Sequence, residues 1–233
     1  MNQSPTETEP VGSEVDKYGE HHAEHDSRLQ HHFATFEQQF DAAKIGIWLF
    51  LATEILMFGG LFVGFALQQS VHPDAFLEAH HHLDKKLGAV NTVVLLFSSF
   101  TMVMAVWSAQ MGRRTHVARY LAVTLACAAT FLVVKFFEYH HKFEEGLLPG
   151  LFYSHHGDTV PNQFIFFSFY FMMTGLHGIH VLVGIGLISW LLWRNNKGEF
   201  DSTYYTPVDL VGLYWHLVDL VWIYLFPLLY LIT

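Results

Sequence analysis

The chain has 233 residues, of which 52% are hydrophobic, 16% aromatic and only 14% charged, against about 25% charged in ordinary soluble chains. A single cysteine, Cys127, excludes an intrachain disulfide framework and any Cys₄-type zinc or iron–sulfur site. The formal net charge of -9 argues against a nucleic-acid partner.

The charge is unevenly placed. Residues 1–41 hold nine acids and two bases, whereas residues 42–233 hold twelve acids and ten bases. The acidity belongs to a polar, His-rich N-terminal tail (1–43), and residues 44–233 form a nearly neutral, apolar body. The tail has no apolar stretch long enough for a secretory h-region. Its composition predicts disorder up to about Arg28. Phe33, Phe36 and Phe40 recur at helical spacing and suggest an interfacial helix, with Asp41 as a candidate cap for the next one.

Five segments then satisfy the length rule for membrane-spanning helices. They run over about 45–67, 87–111, 120–139, 164–193 and 208–232. The last opens with Thr206-Pro207-Val208-Asp209, which reads as an N-cap, a proline in the first turn and a first-turn carboxylate. The intervening loops of 19, 8, 24 and 14 residues are too short for an independent domain. The fold class is therefore an all-α integral membrane bundle of five transmembrane helices, which excludes soluble-enzyme readings. Lys44, Arg113, Arg114, Arg119, Arg194 and Lys197 flank one side, and Lys85, Lys86 and Lys142 the other. The positive-inside rule then predicts a cytoplasmic N-terminus and a C-terminus on the outer side.

Ionisable groups inside spans are costly and are functional candidates by default. In the first span, Glu54 lies ten residues past Lys44, about 15 Å along the helix. It reads either as a hydrogen-bonded carboxyl locking two helices or as a proton-exchanging or subunit-contacting group. Lys135 and Glu138 are three apart near the end of the third span, spaced to pair unless Lys135 snorkels. Only three of the 17 histidines fall in spans. His177 and His180 share a face of the fourth, beside Thr174, Gly175, Gly178 and Gly184. His216 and Asp219 share a face of the fifth. These residues could form a structural polar cluster, a metal second shell or, with His180 and His216 as axial ligands, a haem site; interhelical hydrogen bonding is the simplest account. The outer-loop histidines His72, His80–His82, His140-His141 and His155-His156 show no recurring ligand spacing and read as solvated imidazoles rather than a metal site. P-loop, dinucleotide, nucleophile-elbow and HExxH motifs are all absent.

The pattern of rare polar residues resembles subunit III of the haem-copper terminal oxidases, the cytochrome c oxidase subunit 3 family. The resemblance rests on Gly46-Ile47-Trp48-Leu49-Phe50-Leu51-Ala52-Thr53-Glu54 followed by Phe58, on Asn91-Thr92 with Ser98-Ser99, and on Glu138-Tyr139. It rests most on Phe171-x-x-Thr174-Gly175-x-His177-Gly178-x-His180-Val181-x-x-Gly184 and Tyr214-Trp215-His216-x-Val218-Asp219-x-Val221-Trp222. It covers about residues 36–233 and matches the five-span bacterial forms, which lack the first two helices of longer members. The resemblance implies a bacterial plasma (inner) membrane protein that binds subunits I and II and membrane lipids, with room for bound phospholipid. It implies haems and copper in those partners and no cofactor in this chain. It also implies a non-redox role: stabilising subunit I, supporting its proton uptake and protecting the complex during turnover. Glu54 is the carboxylate it singles out. The equivalent subunit of a quinol oxidase or nitric oxide reductase fits the same residues. From another class, so does a free-standing b-type haem anchor or proton-conducting protein.

Overall fold

The computed structural model describes residues 30, 31, 33–149 and 160–232. The rest of the tail and the His155-His156 pair lie outside the described residues. The chain divides into two units, Met1–Gln39 and Phe40–Thr233.

In the first unit, Thr35 Oγ1 accepts the backbone N–H of Gln38 at 3.2 Å, and Gln38 Oε1 accepts that of Ala34 at 2.9 Å. Helix α1 (Phe36–Val71) begins immediately after Thr35. Asp41, expected to cap a helix, lies inside α1 instead, because Thr35 already supplies the acceptor for the orphan N–H groups of the first turn.

In the second unit a short helix, α2 (Pro73–Ala79), and a 3₁₀ turn (His80–His82) follow α1. Then come α3 (Lys85–Gln110), α4 (Arg114–Glu144), α5 (Gln163–Asn196) and α6 (Thr206–Tyr230). The five long helices are each long and apolar enough to cross a membrane. They extend past most of the span ends read from hydropathy because their polar end turns remain helical. With 36 residues, α1 rises about 54 Å, well over the roughly 30 Å hydrocarbon layer.

Helix ends follow local chemistry. Asp84 caps α3, accepting from the N–H groups of Lys86 at 2.8 Å and Leu87 at 3.2 Å. Thr206, read as a cap, is instead the first residue of α6; Tyr205 precedes it, and Pro207 occupies the first turn. Three helices stop in the same way: Gly112, Gly146 and Gly198 take φ of +66°, +73° and +79° after α3, α4 and α5. The N–H of the next residue reaches back to the last turn in each case, as from Arg113 to the Ser108 carbonyl at 2.9 Å. A side chain with a Cβ is strained at such φ, so glycine sets these turns.

α3, α4, α5 and α6 close a ring in that order, with α6 packed between α3 and α5. α5 and α6 approach closely at Gly184. A Cβ on Gly184 would lie 2.5 Å from the Trp215 ring, so only glycine lets the indole in. α1 rests against the ring through side chains: Phe65 edge-on to Phe166, Phe62 stacked on Tyr224, and Phe50 beside Tyr214. Outward positions such as Leu56 and Phe136 are exposed and apolar, as surfaces facing hydrocarbon are.

Candidate functional site: polar groups within the helix bundle

The polar residues in the spans occupy successive levels along the bundle. Nearest the 3₁₀ turn, Lys135 and Glu138 on α4 meet Tyr170 on α5 and Tyr230 on α6. The Lys135 ammonium donates to Glu138 Oε2 at 3.0 Å and to Tyr230 Oη at 2.7 Å, with Tyr170 Oη at 3.4 Å. Both tyrosine hydroxyls donate to Glu138 Oε1, Tyr170 at 2.9 Å. The ammonium also sits 4.7 Å from the Trp222 ring centroid. Of the two alternatives left open for Lys135, the structure takes the pair: the side chain is buried and does not snorkel. Four polar groups from three helices satisfy one another, which a buried charge requires.

One turn further along α5, Tyr139 Oη and Thr174 Oγ1 are 2.6 Å apart, and Thr174 donates to the Tyr170 carbonyl. The next polar residue, His177, is 1% exposed, and neither ring nitrogen has a partner. Its ring lies between Phe131 and Trp222, with centroids 5.6 Å and 5.4 Å away. His180 turns toward α1 instead. Its Nε2 lies 3.0 Å from Glu54 Oε2 and its Nδ1 2.8 Å from the Leu176 carbonyl, with the Phe58 ring edge-on. Tyr214 donates to the His180 carbonyl at 3.0 Å.

The last level lies between α3 and α6. Ser99 Oγ and His216 Nδ1 are 2.8 Å apart, and Trp215 Nε1 donates to Ser98 at 3.0 Å. Asp219, 2% exposed, has no hydrogen-bond partner on either carboxyl oxygen, although Ser99 stands beside it. Trp222 Nε1 donates to Thr92 at 3.1 Å.

Thr174, His177, His180, His216 and Asp219 therefore do not form one hydrogen-bonded cluster. Thr174 joins Tyr139, His180 joins Glu54, His216 joins Ser99, and His177 and Asp219 stay unpaired. The reason is helical phase: His177 and His180 are three residues apart, about 60° short of a full turn, so they face different neighbours. Both ring nitrogens of His180 are committed, which leaves none to bind a haem iron. Among the described residues no three His, Cys, Asp or Glu side chains converge to hold a metal ion. Sequence reasoning missed Tyr170 and Tyr230. Tyrosines near span ends resemble ordinary interfacial aromatics, and only the buried Lys135 and Glu138 reveal that they are needed as partners.

Outside the spans, His80 is buried in the 3₁₀ turn. Its Nδ1 donates to the Leu77 carbonyl at 2.5 Å and its Nε2 faces the Lys85 ammonium at 3.5 Å. Burial pulls its pKa below the ordinary 6.5; the Leu77 carbonyl opposes this, and the neighbouring His81 and Lys85 add to it.

The family model for cytochrome c oxidase subunit III matches residues 22–233. The chain belongs to the cytochrome c oxidase subunit III family. It is 34% identical over 193 residues to cytochrome c oxidase subunit 3 of Synechocystis sp., covering 82% of this chain and 76% of that protein. It is 33% identical to cytochrome c oxidase subunit 3 of Corynebacterium diphtheriae, covering 81% of this chain and 87% of that one. It is 30% identical to quinol oxidase subunit 3 of Bacillus subtilis, covering 90% and 96%. Glu54 and the α5 and α6 motifs fall within the subunit III match. As a subunit III chain with five helices suited to spanning, it is a multi-pass membrane protein that works in a complex with other oxidase subunits.

Proposed function

We propose that the chain is the non-redox subunit III of a proton-pumping respiratory oxidase in a bacterial plasma membrane, with its N-terminus cytoplasmic. The observation that carries this reading is the subunit III match over residues 22–233. The bundle geometry agrees with it: polar groups in the spans bond mainly to one another and to backbone, the pattern of a scaffold. Subunits I and II hold the haems and copper and reduce oxygen to water; this chain carries no redox centre. It packs against subunit I, stabilises it and supports proton uptake there, with phospholipid on its outer faces.

Glu54 and His180 are a polar pair deep in the bundle that couples α1 to α5. A carboxyl and an imidazole in contact share one proton between them, and either position of that proton leaves the pair without net charge in the bilayer. Lys135 and Glu138 hold α4, α5 and α6 together. A second reading, a quinol oxidase subunit, is favoured by the relative of that name aligned over 96% of its length; the electron donor is chosen by other chains.

The test is purification in mild detergent through a tag on the N-terminal tail, followed by reduced-minus-oxidised spectra and mass identification of partners. Haem-bearing subunits I and II are expected to co-purify, and the haem bands are expected to stay with them when this chain is stripped away. A lone chain without partners overturns the reading, and haem in that lone chain points to a membrane anchor.

A further inference from the structure

Neither carboxyl oxygen of the buried Asp219 makes a hydrogen bond, and a groove ends at His216, one turn of α6 short of it. The groove lies between α3 and α6 and has a volume of about 340 Å³. Its walls include Val103, Val106 and Leu213, its floor is Gly212, and Gln110, Asp209 and His216 supply the polar lining. Asp209 stands in the first turn of α6, where Lys44 of α1 approaches to 3.4 Å. His216 stands two turns deeper on the same face, and Asp219 three residues beyond that, turned about 60° from the groove into the bundle. Ten residues separate the two aspartates, about 15 Å of helix or half the hydrocarbon thickness.

Ser99 links the inner end of the groove to the carboxyl. Its hydroxyl bonds His216 Nδ1 at 2.8 Å and neighbours Asp219. The other groups on this path are Cys127 of α4, within electrostatic range of Asp219, and Gln110 at the α3 end of the groove. An unpartnered carboxylate at this depth is costly, and buried polar groups without protein partners are ordinarily met by water.

We infer that the α3–α6 groove is a hydrated inlet from the aqueous phase on the N-terminal side, through which Asp219 exchanges protons by way of His216 and Ser99. A hydrated proton entering the groove is delivered to His216 Nε2, leaving water behind. The Nδ1 proton passes to Ser99 Oγ as the Ser99 hydroxyl proton passes through a bridging water to an Asp219 oxygen, and the reverse sequence returns it. Each bond broken is matched by one formed, and no other reactant is needed. The inference deepens the proposed function and rests on it only for the complex in which it is tested.

The experiment is infrared hydrogen–deuterium exchange on the tagged, detergent-purified oxidase complex. A protonated-carboxyl C=O band lost in Asp219→Asn is expected, and it shifts promptly in D₂O. In His216→Leu the band remains and its exchange slows by roughly tenfold or more, the scale of one lost hydrogen bond. Val103→Phe, which fills the groove from an exposed position on its wall, slows it as well and serves if His216→Leu does not assemble. The inference is overturned if no band belongs to Asp219, if the wild-type band does not exchange, or if both variants exchange as fast as wild type. An acyl chain filling the groove would appear as the second of these. Co-purification with haem subunits is scored separately, so either proposal can fail alone.

Discussion

The second nitrogen of His180 decides what its first can do with Glu54. Nδ1 faces the Leu176 carbonyl at 2.8 Å, and a carbonyl only accepts, so Nδ1 carries a hydrogen. The 3.0 Å contact between Nε2 and Glu54 Oε2 then holds one proton, bound either to the imidazole or to the carboxyl. Glu54→Gln keeps a donor facing Nε2 and is expected to cost about 1 kcal/mol, leaving the haem spectrum of the complex intact. Glu54→Leu strands Nε2 and is expected to cost about 1–3 kcal/mol. Thermal inactivation followed by visible spectroscopy separates the two. Loss of haem bands in the Gln variant, or equal destabilisation by both, would count against the pairing.

Lys135 and Glu138 make a sharper test, because the penalty for breaking a buried pair exceeds that for removing it whole. Lys135→Met leaves Glu138 buried with two tyrosine donors and no counter-charge, and is expected to destabilise the subunit by about 3–5 kcal/mol. Glu138→Gln leaves the ammonium unbalanced at similar cost. The double variant Lys135→Met with Glu138→Gln carries no charge there and is expected to assemble better than either single one. Yield of intact complex after detergent extraction measures this; a double variant that is worse than both singles would show that the charges do not act as a unit.

These relationships were only partly legible in the sequence. Segment hydropathy locates all five long helices, because a chain with so few charges can bury them only in a limited number of places. Rare ionisable residues such as Glu54, Lys135 and Asp219 stand out for the same reason. Their partners do not. Pairing Glu54 with His180 requires the rotation of α1 against α5, and pairing Lys135 with Tyr230 requires the depth of α6 against α4, neither of which is periodic in sequence. His177 and His180 read as one face, yet the 60° offset between them sends one into an aromatic pocket and the other to α1. Hydropathy also underestimates helix length, since the polar turn of α1 before Ile45 stays helical.

Two glycines of α5 provide a paired prediction about packing. A Cβ at Gly184 falls 2.5 Å from the Trp215 ring, which is itself fully buried and tied to Ser98. Gly184→Ala is expected to push α6 away and cost about 1–3 kcal/mol, the usual range for overpacking. Gly186 has nothing within 4 Å of its Cβ position. Gly186→Ala is therefore expected to be neutral or slightly stabilising, by up to about 1 kcal/mol through helix propensity. Melting of the purified complex compares them, and equal effects would mean that the Gly184–Trp215 contact does not control the seam.

His80 gives a pH dependence whose sign follows from its burial. Its folded pKa lies below 6.5 while the unfolded chain titrates near the ordinary value. Below about 6.5 the unfolded state therefore binds more protons than the folded state, so stability rises with pH in this window. The contribution of neutral His80 is complete above the unfolded pKa and is progressively lost as pH falls below it toward the folded value. Structurally, protonating Nε2 would place a second cation beside the Lys85 ammonium, 3.5 Å away, and remove the lone pair that now faces it. His80→Asn, which cannot titrate, is expected to show a shallower fall in melting temperature between about pH 6.5 and 5 than wild type does. Parallel curves for the two proteins across that window would mean that His80 stays solvated and contributes nothing to the acid sensitivity.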